Sequence, residues 1–564
     1  MALLLLLFLG LLGLWGLLCA CAQDPSPAAR WPPGPRPLPL VGNLHLLRLS
    51  QQDRSLMELS ERYGPVFTVH LGRQKTVVLT GFEAVKEALA GPGQELADRP
   101  PIAIFQLIQR GGGIFFSSGA RWRAARQFTV RALHSLGVGR EPVADKILQE
   151  LKCLSGQLDG YRGRPFPLAL LGWAPSNITF ALLFGRRFDY RDPVFVSLLG
   201  LIDEVMVLLG SPGLQLFNVY PWLGALLQLH RPVLRKIEEV RAILRTLLEA
   251  RRPHVCPGDP VCSYVDALIQ QGQGDDPEGL FAEANAVACT LDMVMAGTET
   301  TSATLQWAAL LMGRHPDVQG RVQEELDRVL GPGRTPRLED QQALPYTSAV
   351  LHEVQRFITL LPHVPRCTAA DTQLGGFLLP KGTPVIPLLT SVLLDETQWQ
   401  TPGQFNPGHF LDANGHFVKR EAFLPFSAGR RVCVGERLAR TELFLLFAGL
   451  LQSSPQGPPA PTAGAAGRQR VAASSQRQAQ VGVLSVRALH PPGPGTPADP
   501  TPFPLLEHFL QLCLEAVGLQ CQTLSQATGA MRMTGAGRQG PHSPSETGTG
   551  ARGFLGAGGG HLSP

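Results

Sequence analysis

Phe426-Ser427-Ala428-Gly429-Arg430-Arg431-Val432-Cys433-Val434-Gly435 decides how this 564-residue chain is read. One cysteine lies between two glycines, with arginines just upstream and a long apolar, helix-like run downstream. A tight loop feeding a helix presents backbone N–H groups and the positive end of the helix dipole to that sulfur, which favours its thiolate. A cysteine that ligates a metal must be deprotonated. A single cysteine otherwise packs as a small buried hydrophobe, so the rest of the chain has to decide between the two.

Composition sets wide bounds. Hydrophobic residues make up 44% and charged residues 17% of the chain, which suits a globular body with an added membrane segment. The length alone allows more than one domain. A formal net charge of +5 is mild and does not argue for nucleic acid. The ten cysteines contain no C-x-x-C pair and no regular framework, against a structural zinc site or a disulfide scaffold.

Residues 1–22 form an uncharged, leucine-dominated run. About 20 such residues in a helix rise roughly 30 Å, enough to cross a hydrocarbon core. The run is longer than a usual signal core and no Lys or Arg precedes it, which favours an anchor over a signal peptide cleaved after Ala20-Cys21-Ala22. Residues 23–45 carry Trp31-Pro32-Pro33-Gly34-Pro35, Pro37 and Pro39, a stiff extended spacer. Charges around the anchor are few (Asp24, Arg30 and Arg36 after it), so orientation stays open. Asn177-Ile178-Thr179 is a glycosylation sequon that matters only if the body enters the lumen.

The body spans 46–452. Its pattern predicts a helix over 56–63, strands over 66–71 and 76–80 turning at Gly72-Arg73, and a helix over 82–90. From about residue 141 helical periodicity dominates. Val233, Leu234, Ile237, Val240, Leu244, Leu247 and Leu248 form one apolar stripe. No repeat of fixed period is present, and a mainly α body with small β-sheets is expected. Residues 453–564 are rich in Pro, Gly, Ala, Ser and Gln and read as a disordered tail with one helix-capable piece at 505–519.

Three spacings carry chemistry. Trp122 and Arg126 are four apart, hence on one helical face, and an indole N–H with a guanidinium suits a carboxylate-bearing ligand, though a solvated basic face reads the same way. Ala296-Gly297-Thr298-Glu299-Thr300-Thr301 interrupts an apolar segment running over 284–311. It predicts a helix end, a solvent-facing turn or a local bulge. Glu353 and Arg356 are three apart, which by default is a surface pair of little energetic weight.

The pattern Phe-x-x-Gly-x-Arg-x-Cys-x-Gly around Cys433, with Trp122-x-x-x-Arg126, Ala296-Gly297-x-Glu299-Thr300 and Glu353-x-x-Arg356 in that order, resembles the cytochrome P450 family. The resemblance runs from Met1 to about Gln452 and lies closest to microsomal family 2. It implies a single catalytic domain of that fold, with Cys433 as axial ligand of haem (iron protoporphyrin IX). Arg99, Trp122, Arg126, Arg366 and Arg431 would hold the propionates, and Thr300 with Glu299 would relay protons. It further implies a buried brace of Glu353, Arg356 and His409, and a substrate pocket of Phe105, Phe115, Phe116, Leu291, Val294, Ala296, Leu361 and His363. The activity implied is insertion of one oxygen atom from O2 into a lipophilic small molecule: a xenobiotic, fatty acid, retinoid or steroid.

Electrons would come from NADPH by way of cytochrome P450 reductase, with cytochrome b5 as a second donor, since the chain shows no G-x-G-x-x-G fingerprint. Arg121, Arg123, Arg430, Arg437 and Arg440 would form a basic docking face near the thiolate. The endoplasmic reticulum membrane is the implied seat, with a cytosolic body by family habit and a lumenal body with some cell-surface escape as the alternative. Two other readings stand beside the monooxygenase: a haem-thiolate peroxide isomerase, and an isoform impaired because the C-terminal β-hairpin of the family is replaced by the 453–564 tail.

Overall fold

Period-3.6 stripes outnumber alternating ones here, and the fold follows that balance. The computed structural model describes residues 31–452, apart from 49–50, 92–94, 163, 165, 275, 277–278 and 332–333, together with Gly10 and Gly13. The remainder of the 1–22 run and the 453–564 tail, with its 505–519 piece, lie outside the described residues.

The body opens with α1 (Gln52–Tyr63), β1 (Val66–Leu71), β2 (Gln74–Leu79), α2 (Phe82–Ala90), α3 (Ala103–Gln109) and α4 (Gly119–Ser135). Helices α5 (Glu141–Asp159), α6 (Leu170–Phe184), α7 (Pro193–Leu209), α8 (Pro212–Val219), α9 (Pro221–Leu226), α10 (Arg231–Arg251) and α11 (Tyr264–Gly272) follow. The centre is α12 (Glu283–Arg314), with α13 (Pro316–Leu330) and α14 (Pro345–Ile358) after it. The chain then makes β3 (Arg366–Cys367), β4 (Thr372–Leu374), β5 (Phe377–Leu379), β6 (Pro384–Pro387), α15 (Leu389–Leu393) and α16 (Glu436–Gln452).

One sheet has the order β1-β2-β6-β3, with β2 parallel to β6 (Val77 opposite Val385) and the other neighbours antiparallel. A small hairpin of β4 and β5 stands apart. The expected strand pair is present, β2 beginning at Gln74 instead of 76. The main core joins α5, α6, α12, α13, α14 and α16 through buried Ile147, Leu151, Ile178, Leu305, Val350 and Phe444. In α10, Val233, Ile237, Val240, Leu244 and Leu248 are buried against α7 and α11, whereas Leu234 and Leu247 are only partly covered.

The segment at 296–301 departs from expectation: α12 runs unbroken for 32 residues. The small residue at 297 serves packing instead. A Cβ there would fall 2.5 Å from the Thr179 Oγ1, so only glycine lets α6 approach α12 this closely. The polar run is absorbed by hydroxyls bonding back one turn: Thr300 to Ala296 O at 2.8 Å, Ser302 to Thr298 O at 2.5 Å and Thr304 to Thr300 O at 2.8 Å.

Candidate functional site

The Cys433 loop is closed by its own backbone. The Cys433 N–H donates to Phe426 O at 3.0 Å and the Val432 N–H to Gly429 O at 3.0 Å. Gly429 has φ +72°, and a Cβ on it would lie 1.8 Å from Leu89 O, so no side chain fits. Three residues past Cys433, α16 begins. The sulfur faces a cavity bounded by Ala296, Gly297, Thr300 and Thr301 of α12 and by Leu438 and Leu443 of α16. Cys433 is reached by way of that cavity while protein crowds it elsewhere. Burial pushes its thiol up, and the backbone N–H groups of Gly435 and Glu436 and the charge of Arg126 oppose this without overturning it. The favoured thiolate expected from the loop is therefore not achieved by protein groups alone. A bound metal cation deprotonates such a thiol outright.

Arg99, Trp122, Arg126, Arg366 and Arg431 all line this same cavity. Burial first, then mutual repulsion, pulls Arg99 well below the ordinary guanidinium value, Arg431 down to about 9 and Arg366 down to about 10. None of the four arginines forms an ion pair among the described residues. Their donors are not equally available. Arg431 gives its hydrogen bonds to the carbonyls of Ala97 (2.6 Å) and Ser117 (2.5 Å) and stacks 3.7 Å from the Trp122 ring centroid. Arg99 donates to Phe115 O at 2.9 Å and Pro365 O at 2.6 Å. Buried Trp122 Nε1 and Arg366 Nη1, by contrast, have no partner among the described residues. Buried donors without acceptors beside crowded cations are the signature of an anionic ligand. The two propionates of haem, over a cysteine, fit that requirement.

Three residues in or beside this site were not singled out in the sequence. Asp292 of α12 accepts from the N–H groups of Ile114 (2.7 Å) and Phe115 (3.0 Å) and from Gln109 Nε2, and Asn285 accepts from Gly113 N at 2.9 Å. Together they dock the irregular segment before α4 onto α12. Burial raises Asp292 to about 6 despite these donors. An acid that is the one charged residue of the stretch 284–298 was the available signal. Glu442 of α16 also lines the cavity, and burial holds it well above the carboxylate range.

Glu353 and Arg356 are not a surface pair. Both side chains are 0% exposed, and Arg356 meets Glu353 Oε1 and Oε2 at 2.7 Å each. Arg356 also donates to Leu393 O (2.8 Å), Pro402 O (2.9 Å) and Gln404 O (3.0 Å). Glu353 in turn accepts from Asn406 N at 2.8 Å and faces His409 Nδ1 at 3.1 Å. The Thr401 N–H donates to His409 Nε2 at 3.2 Å, so the ring proton sits on Nδ1 and points at Glu353.

Of the expected pocket residues, Phe115, Ala296 and Leu361 line the cavity. Leu291 and Val294 do not. They pack into the second core, toward α7 and α10, while Met293, Gly297 and Thr304 occupy the wall. Phe105 and Phe116 stack on each other (centroids 3.5 Å apart) and His363 is buried toward Asp53, all three outside the lining. Thr300 is in the wall, but Glu299 is not. Glu299 lies near Asp203 of α7, and burial, then that charge, raise it to about 7. Asn177 is 0% exposed within α6, with its amide bonded to Phe188 O (2.7 Å) and Phe188 N (2.8 Å). A glycosyltransferase cannot reach it once α6 has packed.

Comparison with known proteins agrees with this geometry. The sequence model described as cytochrome P450 matches residues 32–453. The chain is 77% identical to mouse cytochrome P450 2W1 over 451 residues, covering 78% of this chain and 92% of that protein. It is 43% identical to zebrafish (Danio rerio) cytochrome P450 2K6 over 74% of this chain and 83% of the relative. Against rabbit cytochrome P450 2B4 the identity is 41%, over 81% and 94%. With a cysteine loop, a cationic cavity rim and a buried Glu353–Arg356 brace all in place, this chain belongs to the cytochrome P450 family, in its family 2 and beside the W-type members.

Proposed function

We propose that the chain is a membrane-seated haem-thiolate monooxygenase acting on lipophilic small molecules. The observation that carries this reading is the gathering, in one cavity, of the Cys433 sulfur, the partnerless Trp122 and Arg366 donors and the hydroxyl-bearing face of α12. When bound, haem supplies the oxygen-activating chemistry, and thiolate ligation favours O–O cleavage, an effect for which this family is the standard illustration.

The chain's own residues do the rest. Cys433 would ligate the iron. Trp122 Nε1, Arg126 and Arg366 would hold the propionates, while Arg99 and Arg431, committed to backbone carbonyls, set the shape of the rim. The Thr300 hydroxyl, held on Ala296 O at 2.8 Å, faces the cavity and passes protons inward, with Glu299 as an acid behind it. Glu353, Arg356 and His409 are structural. Apolar walls formed by Leu182, Met293, Leu360, Leu361 and Val364 select a lipophilic substrate, whether xenobiotic, fatty acid, retinoid or steroid.

Electrons come from NADPH through cytochrome P450 reductase, with cytochrome b5 as a second donor. Arg121, Arg123, Arg430 and Arg437 are exposed and offer an acidic partner a basic face, whereas Arg440 is engaged by Glu436 at 2.9 Å. Among the described residues no single helix is long and apolar enough to cross a membrane. An apolar patch nonetheless supports a membrane seat: Trp222 (71% exposed), Leu226 and Leu227 stand beside Leu40, whose carbonyl accepts from Tyr220 Oη at 2.9 Å. Body orientation is read by endoglycosidase digestion of cell-made protein beside Asn177→Gln: a mobility shift lost in the variant marks a lumenal body glycosylated before α6 packs.

The deciding experiment is the reduced carbon-monoxide difference spectrum of the full chain, of Cys433→Ser and of the chain cut after Gln452. A thiolate-type Soret band in the full chain, absent from Cys433→Ser, with reductase-dependent oxygen uptake, is expected. No such band in the full chain refutes the reading.

A further inference from the structure

The residue just before Glu353 has contacts of its own. His352 of α14 is mostly buried, its ring centroid 4.6 Å from that of Phe417, 4.8 Å from Phe423 and 5.4 Å from Phe410. A phenyl ring would suit that cage as well, yet both imidazole nitrogens are in use. Nδ1 lies 2.7 Å from Ser348 O one turn earlier, and a carbonyl only accepts, so the proton sits on Nδ1. Nε2 lies 2.9 Å from Arg440 Nη1, and a guanidinium only donates, so Nε2 offers its lone pair. The two partners fix a neutral ring in one tautomer. Burial, which pushes His352 down to about 4, acts in the same direction.

Arg440 in turn meets both ends of the cysteine loop. Its Nε and Nη2 reach Glu436 Oε1 at 3.0 and 2.9 Å, and Glu436 is the first residue of α16. The same guanidinium stands 5.0 Å from the ring centroid of Phe426, where the loop begins, and 5.5 Å from that of Phe423. Phe426 lines the cavity, and its carbonyl accepts from the Cys433 N–H at 3.0 Å. One guanidinium thus clasps the loop at residues 426 and 436. Its side chain is 33% exposed and has many rotamers, so each further partner narrows the positions it can take. His352 supplies such a partner from a different helix.

We propose that His352 is a positioning residue of the cysteine loop: by accepting from Arg440 it holds the clasp that keeps Phe426 and Glu436, and with them the Cys433 sulfur, in place. This rests on the haem-thiolate reading for the task of that sulfur, while the link from His352 to Arg440 stands on its own geometry. The neighbouring brace works elsewhere. Glu353 and Arg356 bind the chain between Leu393 and His409, upstream of the loop. His352 acts on the loop itself, so two adjacent residues of α14 serve successive parts of the chain.

The test compares full-length wild type with His352→Gln and His352→Asn at pH 7. The glutamine amide reaches the place of Nε2 and can still accept from Arg440, whereas the asparagine amide reaches only the place of Nδ1. The first readout is the rate at which the reduced carbon-monoxide complex loses its thiolate-type Soret band in mild urea, beside helix content by circular dichroism. The second is the nitrogen-15 spectrum of histidine-labelled protein. His352→Asn is expected to lose the band about fivefold faster than wild type, the order that one net hydrogen bond carries. His352→Gln should stay within twofold, with the helices of all three proteins melting together. The His352 signals, identified by their absence from both variants, should show a protonated Nδ1 and a bare, accepting Nε2. His352→Asn within twofold of wild type, or equal rates in the two variants, overturns the proposal. So does helix melting that quickens in step with band loss, which marks a merely structural ring, or a proton on Nε2. Loss of haem from His352→Asn alone supports it, and loss from both variants overturns it. A wild type without the thiolate band refutes the haem-thiolate reading instead, and the nitrogen-15 spectrum then still decides the His352–Arg440 link.

Discussion

Arg356→Lys separates a brace from a mere ion pair. Lysine keeps the positive charge, so Glu353 is not left as an uncompensated buried carboxylate. It offers three donors, however, where Arg356 makes five hydrogen bonds, to both Glu353 oxygens and to the carbonyls of Leu393, Pro402 and Gln404. At least two of the five bonds must be lost; Glu353 keeps Asn406 N and His409, so a shorter ammonium that stays on Glu353 strands two of the three carbonyls at about 1–3 kcal/mol each, for a total of about 2–6 kcal/mol. A surface pair at this spacing would lose no more than about 1 kcal/mol. Against a net stability of about 5–15 kcal/mol the expected loss is large. Urea titration followed by far-ultraviolet circular dichroism, with the carbon-monoxide spectrum recorded alongside, gives the comparison. The variant should unfold earlier and shed haem before its helices melt, because Pro402 and Gln404 belong to the segment between α15 and the Cys433 loop. A loss below about 1 kcal/mol with the spectrum unchanged refutes the argument that this network holds the loop.

Thr300→Ala should keep the thiolate Soret band yet raise peroxide per NADPH several-fold; unchanged coupling on an oxygen electrode speaks against the hydroxyl relay. Gly429→Ala must find room for a Cβ 1.8 Å from Leu89 O at a φ of +72°, a combined penalty of about 2–5 kcal/mol that thermal denaturation reads directly. Asp292, raised by burial to about 6 in the folded chain, binds its proton more tightly there than when unfolded. Its contribution to stability is therefore greatest below the ordinary carboxylate value near 4 and declines as pH rises to about 6. Asp292→Asn should remove that decline from the difference in urea midpoints between pH 4 and pH 7; an identical pH slope in both proteins contradicts the assignment.

What sequence could show about this site followed from how far apart the interacting groups lie along the chain. Cys433 and Gly429 sit within one loop, and Glu353 and Arg356 within one helical turn, so their spacing alone exposed them. The partners that turn Glu353–Arg356 from a surface pair into a brace lie 37 to 56 residues downstream, where no local period reaches. The phase of α12 was illegible for a different reason. An amphipathic helix declares its buried face, but α12 is covered on every side, by α6 and α14 as well as by the cavity, and carries apolar residues around its whole circumference. Leu291 and Val294 then look as suitable for a cavity wall as Met293 and Ala296, and a rotation of about 100° per residue is enough to exchange them. Gly297 misled in the same way, since a glycine that breaks a helix and a glycine that admits a neighbouring helix are identical in sequence. Polar residues inside such all-round apolar helices remain informative even when the phase is lost. Asn285, Asp292 and Glu442 each needed a partner or a purpose to be buried at all. Asn285 and Asp292 found theirs in the backbone of the segment before α4. Glu442, whose Oε1 has no partner among the described residues, is instead pushed by burial toward its neutral form.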